Sequence, residues 1–493
     1  MGLRPPAPGS RLGHEPEGIA RAARAHSLPP VSGSPPHRVR EFNDPGLLDP
    51  AEASLLIDLY ELTMSASYLE RGMNQPAIFE LFARRLPPNR RWLLAAGLGP
   101  TLELIRRLRF GTRELDYLRS LGLFRETFLE YLAGFRFSGD IEAIPEGTVC
   151  FDNEPVVRVT APLIEAQLLE TVLLNQINFQ TMIATKAALV VLAAGGGEPG
   201  AGERVVDFSP RRDHGADAAM KVARSAAVAG CGGTSNVAAA MRYGLRPVGT
   251  MAHSYVLAFD TEEEAFRAFI EYFPQDSVIL VDTYDTLEGV RRAISAARGA
   301  GVPLAGVRLD SGDLLELARQ ARRLLDEAGM AEARIAVSGD LEEQRIAELV
   351  GAAAPIDLWG VGTDLGTSRD SPVVNGVYKL VARAGEAGWR GVWKRSIDKS
   401  TLPGPKQVFR RHADGTMSGD EIGAVDEALD GEPLLVPAMR GGQLTRAESL
   451  EEIRARSTAQ LAALPPALRR PAADAEPYPV RYSERLRRSI VGP

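Results

Sequence analysis

The sequence has little cysteine, and the cysteine present does not suit cross-linking or zinc binding. Its 493 residues include only two cysteines, Cys150 and Cys231. Two thiols cannot build the disulfide framework of a small secreted protein, and they are too few for a thiolate zinc site. This content is typical of a protein from a reducing compartment, so we expect a cytoplasmic location.

A basic excess and a long apolar run are also lacking. The formal net charge is −7, so no positive surplus is available to neutralise nucleic-acid phosphates, and we expect no nucleic-acid partner. No run of about 18 apolar residues is evident, so we predict no membrane span. Lysine is scarce next to arginine. An anion site must therefore be built mostly from arginine, backbone N–H groups and helix N-termini.

What is present is an ordinary globular composition, 45% apolar and 25% charged, which supplies a large core. Residues 1–45 are rich in Pro, Arg, Gly and Ser and are predicted to form a disordered tail. We divide the remainder into an α+β N-terminal domain (46–200) and an α/β core with the active site (201–372). A β-rich segment (373–440) would complete the N-terminal domain and the site, and a helical cap (441–493) would follow.

From Val205 onward, short apolar strands alternate with helices. Continuous apolar strands covered by helices are typical of a parallel sheet, and a period of about 30 residues suits βα units. The predicted strands are 205–208, 247–250, 277–283, 305–310, 334–340 and 356–363.

Polar and glycine residues collect at the carboxyl ends of these strands, which face one site if the strands close into a βα barrel. The set is Asp207, Phe208, Arg211, Thr250, His253, Asp282, Arg308, Asp310, Ser311, Ser338, Gly339, Asp340, Gly360, Gly362 and Thr363. Glycine-rich ends with Ser or Thr suit phosphate, and carboxylates suit ribose hydroxyls or Mg²⁺. Phenylalanine and arginine together suit a flat aromatic carboxylate. The set predicts transfer chemistry on a phosphorylated sugar, with a small acid as second substrate.

Eight segments, in order along the chain from about residue 51 to 410, together resemble nicotinate phosphoribosyltransferase. They are Leu56-Ile-Asp-Leu-Tyr-Glu-Leu-Thr-Met64, Phe79-Glu-Leu-Phe-Ala-Arg-Arg85, Gly233-Thr-Ser-Asn-Val237, Gly249-Thr-Met-Ala-His-Ser254, Gly306-Val-Arg-Leu-Asp-Ser-Gly-Asp313, Gly360-Val-Gly-Thr363, Gly376-Val-Tyr-Lys-Leu380 and Thr401-Leu-Pro-Gly404.

The resemblance implies a type II phosphoribosyltransferase fold, in which an irregular TIM-like α/β barrel is joined to a split α+β N-terminal domain. It implies a homodimer with active sites at the subunit interface. The implied reaction makes nicotinate mononucleotide and diphosphate from nicotinate and 5-phosphoribosyl 1-diphosphate, the first step of NAD biosynthesis from nicotinate. ATP hydrolysis would be coupled to this ligase or glycosyltransferase reaction through a phosphohistidine, with Mg²⁺ as cofactor.

The resemblance also implies roles for single residues. The matched positions are His253, the phosphoryl acceptor; Thr250 and Arg308, near nicotinate; Tyr60, a tyrosine given to the partner's site; and Thr363, on the phosphoribosyl group. Arg211 is the expected clamp on the nicotinate carboxylate. The strand ends add Phe208, Ser311, Gly339 and Gly362 as substrate-binding residues and Asp310 as a catalytic residue. The Mg²⁺ ligands are left open.

Charge considerations give these residues a mechanism. The nitrogen of nicotinate attacks the anomeric carbon as diphosphate leaves, so arginine, Mg²⁺ and backbone N–H groups would stabilise the leaving charge. The nucleophile is an unprotonated pyridine and needs no general base. His253 would instead accept a phosphoryl group from ATP.

One segment departs from the family pattern. The family has a segment similar to Gly-Leu-Arg-Arg-Ala-Gln-Gly at the first barrel strand, whereas this chain has Phe208-Ser-Pro-Arg-Arg-Asp-His-Gly215. The two arginines are kept, but Asp213 and His214 replace small and amide residues. The departure bears on ring recognition, and we expect His214 to be an exposed loop residue.

Several residues have simpler interpretations. His253 could be a hydrogen-bonded strand-end residue and Tyr60 a core tyrosine. Arg308 and Asp310 share one face of a strand and could form only an ion pair, and Asp313 is expected at a helix start. Arg84 and Arg85 are expected to reach phosphate across a dimer interface or to be surface charges. Lys399 and Lys406 are expected to be solvated loop charges, with contact to nucleotide as the alternative.

Three rival functions remain in view. Nicotinamide phosphoribosyltransferase would want a hydrogen-bond acceptor near the ring, such as Asp213. A non-catalytic binding paralogue would keep the fold without turnover. A Schiff-base aldolase is disfavoured because no lysine lies in the predicted barrel strands, and Lys221 lies in a predicted helix.

Overall fold

The structure is a computed structural model. It describes residues 50–195, 200–386, 388–393, 402–470 and 476–491. The predicted tail, Lys399 and Thr401 lie outside the described residues.

The N-terminal part opens with a 3₁₀ helix, Pro50–Leu55, and a helical and β-rich segment follows. Its helices are Leu59–Glu70 (α1), Leu98–Arg107 (α2), Thr112–Ser120 (α3), Glu126–Ala133 (α4), Leu163–Gln167 (α5) and Glu170–Gly195 (α6). Its strands are Pro76–Ala83 (β1), Leu93–Leu94 (β2), Asp140–Ala143 (β3), Val149–Cys150 (β4) and Pro155–Pro162 (β5).

The middle part alternates strands and helices after the 3₁₀ helix Ala201–Arg204. Its strands are Val205–Asp207 (β6), Gly233–Thr234 (β7), Val278–Leu280 (β8), Gly306–Leu309 (β9), Arg334–Val337 (β10) and Leu358–Val361 (β11). Its helices are Ala216–Val228 (α7), Val237–Tyr243 (α8), His253–Leu257 (α9), Glu262–Tyr272 (α10), Thr286–Ala300 (α11), Leu314–Glu327 (α12), Glu343–Gly351 (α13) and Thr363–Thr367 (α14).

The C-terminal part is richer in strands. They are Gly376–Gly385 (β12), Gly388–Gly391 (β13), Lys406–Ala413 (β14), Thr416–Ala424 (β15), Glu432–Pro433 (β16), Val436–Arg440 (β17), Gln443–Leu444 (β18) and Val480–Tyr482 (β19). Its helices are Leu450–Ala463 (α15) and Glu484–Val491 (α16), with a 3₁₀ helix at Pro466–Leu468.

Helix starts in the middle part follow from local capping. The side chains of Thr261, Asp285 and Asp313 each accept a hydrogen bond from the backbone three residues on, at the starts of α10, α11 and α12. Such caps satisfy N–H groups that have no partner within the helix. The expectation that Asp313 is a helix-start acid is therefore confirmed.

The middle strands form one parallel sheet in the order β7-β6-β11-β10-β9-β8. Crossover helices join successive strands, so the carboxyl ends of all six strands lie along the same edge. This is the mixed α/β architecture that the alternating pattern predicts.

Closure of this sheet into a TIM-like barrel is not confirmed. Among the described residues, the predicted strand at 247–250 forms only a single bridge, from Pro247 to Thr234. Val248 donates to the Thr234 carbonyl at 2.9 Å, and no described ladder joins this segment to β8. Pro247 has no N–H to donate to a second neighbour, and α9 begins a few residues later, so the segment does not extend into a strand.

A seven-stranded antiparallel sheet, β13-β12-β1-β5-β3-β17-β18, joins distant parts of the chain. It pairs β1 with β12 and β3 with β17, across the whole α/β segment. The sheet is therefore built from both ends of the chain, and the expected split N-terminal domain and its boundaries stay predictions.

The last part of the chain is not purely helical, contrary to the expected cap at 441–493. β18 pairs with β17, and β19 joins the sheet β16-β14-β15-β19. The expectation that Lys406 is a solvated loop charge is also wrong. Lys406 lies in β14, is 4% exposed, and places Nζ 2.7 Å from Oε2 of buried Glu80 in β1.

Helix α6 is largely buried in the core. The helical stretch Leu163–Gly195 is long and apolar enough to cross a membrane, but 89% of its most apolar window is buried inside the protein. Apolar run length and burial together identify a core helix. Its fully buried Lys186 pairs with Glu343 in α13 at 2.5 Å and with Asp370 after α14 at 3.1 Å. Through Lys186, α6 contacts α13, which follows β10, and the segment after α14, which follows β11.

Candidate active site

Arg308 and Thr250 meet at the carboxyl edge of the parallel sheet. Nη1 of Arg308 donates to Oγ1 of Thr250 at 2.7 Å, and Nη2 lies 3.9 Å from Oδ1 of Asp310. The Arg308 side chain is only 14% exposed, and its buried Nε has no partner among the described residues. Arg308 and Asp310 point the same way because they are two residues apart along an extended strand end.

The pKa of Arg308 is subject to opposing effects. Burial lowers the pKa of its guanidinium, the carboxylates of Asp310 and Asp282 raise it, and the charge of Arg211 lowers it again. Arg211 is exposed on the loop after β6. Two guanidinium groups in electrostatic reach of each other favour an anion between them.

His253 is positioned by a residue that the sequence reasoning missed. Its Nδ1 lies 3.1 Å from Oγ1 of Thr283, which follows β8, and its Nε2 lies 4.0 Å from Oδ2 of Asp310. The side chain is 42% exposed. A proton on Nδ1, donated to Thr283, leaves the lone pair of Nε2 facing the site. The position of Thr283 just beyond an apolar strand was the available signal.

The ends of β8, β9 and β10 are joined by carboxylate hydrogen bonds. Oδ2 of Asp282 accepts from the backbone N–H of Asp310 at 2.9 Å and from Oγ of Ser311 at 2.7 Å, whereas its buried Oδ1 has no described partner. Ser338 donates to Oδ1 of Asp310. A side chain at Gly339, with φ of 82°, would overlap the Asp310 carbonyl oxygen, so glycine is required there.

The ends of β6 and β11 form the neighbouring part of the site. The N–H of Phe208 donates to the Val361 carbonyl at 2.8 Å, and a Cβ on Gly360 would overlap the Phe208 ring. Glycine at 360 therefore makes room for the aromatic ring. Gly362 and Thr363 follow directly, and Thr363 begins α14.

A cavity of about 1130 Å³ is lined by residues of β6, β8, β9, β10 and β11 of the parallel sheet and of the segments that flank its strands. Phe208, Thr250 and Arg308 line it together, with Val206 and Leu358 supplying apolar wall. A pocket with apolar walls and a few convergent polar groups is the usual form of a small-molecule site. The structure thus brings together three of the predicted substrate residues in one cavity.

Within the departing segment, Phe208 lines this cavity but residues 209–215 do not. Asp213 is half-buried beside Ser209 and α14, and His214 is exposed, as expected. Oδ2 of Asp213 lies 3.1 Å from Oγ of Ser209, and that hydroxyl lies 2.6 Å from Oδ1 of buried Asp207. Thr234 donates to the other oxygen of Asp207 at 2.8 Å. Sequence reasoning did not single out Ser209 or Thr234, because their roles depend on contacts between strands.

Tyr60 lies apart, on α1, where it lines a second depression of about 370 Å³ with Asp58, Glu170 and Val373. It is 46% exposed and is not a core tyrosine. Burial of its ring, with the nearby carboxylates, raises the pKa of its hydroxyl well above the usual range. Within one chain, Tyr60 does not line the cavity that contains Arg308.

The described residues contain no group of three or more His, Cys, Asp or Glu side chains placed to hold a metal ion. Asp282 still has a buried oxygen without a described partner. One or two carboxylates of this kind are the usual protein share of a Mg²⁺ site that substrate phosphates complete.

Models of the nicotinate phosphoribosyltransferase family match most of the chain. The N-terminal domain model matches residues 55–178, the family model matches 204–401, and the C-terminal domain model matches 407–489.

Relatives from distant organisms match over most of their length. Nicotinate phosphoribosyltransferase pncB2 of Mycobacterium tuberculosis is 48% identical over 88% of this chain and 92% of its own length. The Bacillus subtilis nicotinate phosphoribosyltransferase is 42% identical over 76% of this chain and 77% of its own length. The crystal structure of human nicotinic acid phosphoribosyltransferase superposes with a TM-score of 0.77 and 28% identity, covering 88% of this chain and 99% of that chain.

Proposed function

Because the chain belongs to the nicotinate phosphoribosyltransferase family, we propose that it makes nicotinate mononucleotide and diphosphate from nicotinate and 5-phosphoribosyl 1-diphosphate. The observation that carries this proposal is the cavity in which Arg308 meets Thr250 beside the Phe208 ring. The buried Nε of Arg308 has no described partner, so an anionic ligand completes its hydrogen bonding.

Nicotinate fits this cavity by charge and shape. Its carboxylate binds Arg308 and Thr250, and Arg211, exposed on the loop after β6, adds a second positive charge that reaches Arg308. Its flat ring stacks against Phe208, for which Gly360 leaves space. Recognition of the acid therefore rests on two arginines and one aromatic ring.

In the reaction, the ring nitrogen forms a bond to the anomeric carbon of the ribose. The bond from that carbon to the diphosphate oxygen breaks, and its electron pair leaves with diphosphate. The enzyme holds the two reactants in line and stabilises the leaving charge with fixed donors. Gly339, Gly362 and Thr363 bind the phosphoribosyl end. Asp282 and Asp310 would hold Mg²⁺, which supplies positive charge beside the diphosphate.

ATP hydrolysis is coupled through His253 in this proposal. Nε2 attacks the γ-phosphorus of ATP, an N–P bond forms, and the P–O bond to ADP breaks. Water later cleaves the N–P bond and releases phosphate. The contact between Nδ1 and Thr283 supports this role, because it directs the lone pair of Nε2 into the site.

The active form is a homodimer in which Tyr60 completes the site of the partner subunit. Its exposure on α1, away from the cavity of its own chain, supports this assignment. Arg84 is half-buried and Arg85 exposed at the end of β1, and their contact with phosphate across the interface stays a prediction, as does a cytoplasmic location.

Nicotinamide as the substrate is less well supported. The interpretation depended on Asp213 as a hydrogen-bond acceptor near the ring, but Asp213 packs against Ser209 and α14. Arg308 in the cavity, with Arg211 in electrostatic reach of it, favours an acid over an amide.

The test is diphosphate release by the purified chain with nicotinate, 5-phosphoribosyl 1-diphosphate and Mg²⁺, with and without ATP. We expect turnover that requires nicotinate, exceeds that with nicotinamide and rises with ATP. His253→Ala should keep ATP-independent turnover but lose the ATP stimulation and the acid-labile label from γ-labelled ATP. His214→Ala, at an exposed histidine, is the control and should keep both.

Three contrary results would each favour a different interpretation. ATP-stimulated turnover in His253→Ala would remove the proposed role of that histidine. Faster turnover with nicotinamide would favour the amide-specific enzyme, and absence of diphosphate release would favour a non-catalytic binding protein.

A further inference from the structure

The loop after β6 packs directly against α14 through Asp213. A Cβ on Gly366 would overlap both Oδ1 of Asp213 and the Ser209 side chain. Gly366 in the middle of α14 therefore allows this close approach, and any displacement of Asp213 alters the support of α14.

The hydrogen bonds around Ser209 fit a neutral Asp213. The Ser209 hydroxyl has one proton and lies 2.6 Å from Oδ1 of Asp207 and 3.1 Å from Oδ2 of Asp213. Asp207 is buried and also accepts from the Ser209 N–H at 2.9 Å and from Thr234 at 2.8 Å. These bonds suit an ionised Asp207 that accepts the hydrogen bond from the Ser209 hydroxyl. Asp213 then bonds to Ser209 only by donating its own proton.

Among the described residues, no cation acts on the carboxyl group of Asp213 strongly enough to lower its pKa. Its Oδ1 is buried without a described partner. The other charged or titratable groups on the packed elements are Asp207 at the end of β6, Asp364 on α14 in an ion pair with Arg369, Arg211, Arg212 and His214 exposed on the same loop, and, on α7, Asp217 in an ion pair with Lys221 and Arg224 in an ion pair with Glu146.

Burial raises the pKa of Asp213 to about 7 and the charge of Asp207 adds to this, whereas a Ser209 hydroxyl that donated to Asp213 would lower it. The carboxyl therefore loses its proton near neutral pH. Ionised, it would be a partly buried charge facing Asp207 and the α14 backbone without a donor.

We propose that Asp213 is a positioning residue for the phosphoribosyl substrate: neutral, it holds α14 and Thr363 in place, and ionised, it withdraws and weakens binding. The inference rests on the proposed function, which assigns Gly362 and Thr363 to the phosphoribosyl group. It assigns Asp213 to the phosphoribosyl end of the site, whereas Phe208 and Arg211 of the same segment serve the nicotinate ring and carboxylate.

The test compares the wild type with Asp213→Asn, whose amide donates to Ser209 at every pH without a charge. We expect the ratio of KM for 5-phosphoribosyl 1-diphosphate, wild type over variant, to rise from about 1 near pH 6 to about 5 near pH 8.5, the effect of one hydrogen bond. Titration of the substrate affects both enzymes equally and cancels. The ratio of kcat should stay constant, because Asp213 does not contact the reacting atoms.

A second pair of variants covers the case in which Asp213→Asn folds poorly. Asp213→Ala and Ser209→Ala both remove the bond, so each should raise this KM about fivefold near pH 6, with little further loss of affinity near pH 8.5.

Thermal unfolding adds a structural measurement. Since the folded pKa lies above the unfolded one, the stability contributed by Asp213 is lost as pH rises through about 7. The melting temperature of Asp213→Asn should therefore gain on the wild type as pH rises.

If the wild type turns over but the KM ratio does not change with pH, this inference is overturned and the proposed function is not. The same holds if Asp213→Ala leaves KM unchanged at both pH values. Absence of turnover in the wild type would overturn the proposed function and, with it, this inference.

Discussion

Arg308 is the residue whose surroundings most restrict what the site can bind. Its side chain is 14% exposed, it bonds to Thr250, and one of its donors has no described partner. An arginine in this state prefers a planar carboxylate that accepts two parallel bonds. The interpretation of Arg308 and Asp310 as a simple ion pair is incomplete, because the charged atoms Nη2 and Oδ1 are 3.9 Å apart.

The change Arg308→Lys tests this directly. Lysine keeps the charge but cannot present a two-pronged donor, so we expect KM for nicotinate to rise roughly 10- to 100-fold, the effect of one or two charge-assisted bonds. Arg334→Lys is the matched control, because Arg334 is exposed and lines the same cavity at the start of β10. Equal effects of the two changes on this KM would rule out Arg308 as the carboxylate ligand.

At the scale of elements, α1 and α6 are joined through a buried carboxyl group. Glu61 of α1 is fully buried, and one of its oxygens accepts from the Thr171 hydroxyl at 2.5 Å and from the Thr171 N–H at 3.1 Å. Its other oxygen has no described partner. Burial raises the pKa of Glu61 to about 7, against the effect of the Thr171 hydrogen bonds.

This shift predicts a pH-dependent stability. A folded pKa above the unfolded value of 4.5 means that the stability contributed by Glu61 is complete below pH 4.5 and is lost as pH rises through about 7. Glu61→Gln keeps the acceptor for Thr171 and cannot ionise. Its melting temperature relative to the wild type should therefore be higher at about pH 8 than at about pH 5.

Glu130→Gln, an exposed change on α4, serves as the control for general charge effects and should show little such dependence. A constant difference between Glu61→Gln and the wild type at the two pH values would mean that Glu61 is not neutral in the fold.

At the scale of the whole molecule, the cavity and Tyr60 lie on separate parts of one chain. A shared site in a homodimer predicts that two inactive variants complement each other. In a mixed dimer of Tyr60→Ala and Arg308→Gln, one site has a native Arg308 and receives a native Tyr60 from the partner subunit. We expect co-expressed variants to recover turnover that neither has alone.

The measurement is nicotinate-dependent diphosphate release by the mixed dimer, purified with a different tag on each chain. Dimers of each variant with itself are the controls. A purified mixed dimer without turnover, from variants that both remain folded, would place Tyr60 outside the shared site.

Local patterns in the sequence determined the alternating strands and helices, the capped starts of α10 to α12, and the set of polar residues at the strand ends. Each of these depends on residues close together in the chain, such as Asp313 and the backbone it caps. The eight ordered motifs determined the family. Pattern alone also placed Thr250, Arg308 and Asp310 near one another, since parallel strands end at a common edge.

Only the tertiary structure decided which long-range contacts each residue makes. It placed Lys406 against buried Glu80, turned Asp213 toward α14, directed Thr283 to His253, and left the predicted strand at 247–250 as a single bridge. These outcomes depend on burial and on partners distant in sequence, which a local pattern does not contain. A carboxyl or ammonium group has the same identity in any sequence, but its charge state and partners are set by the space into which the fold brings it.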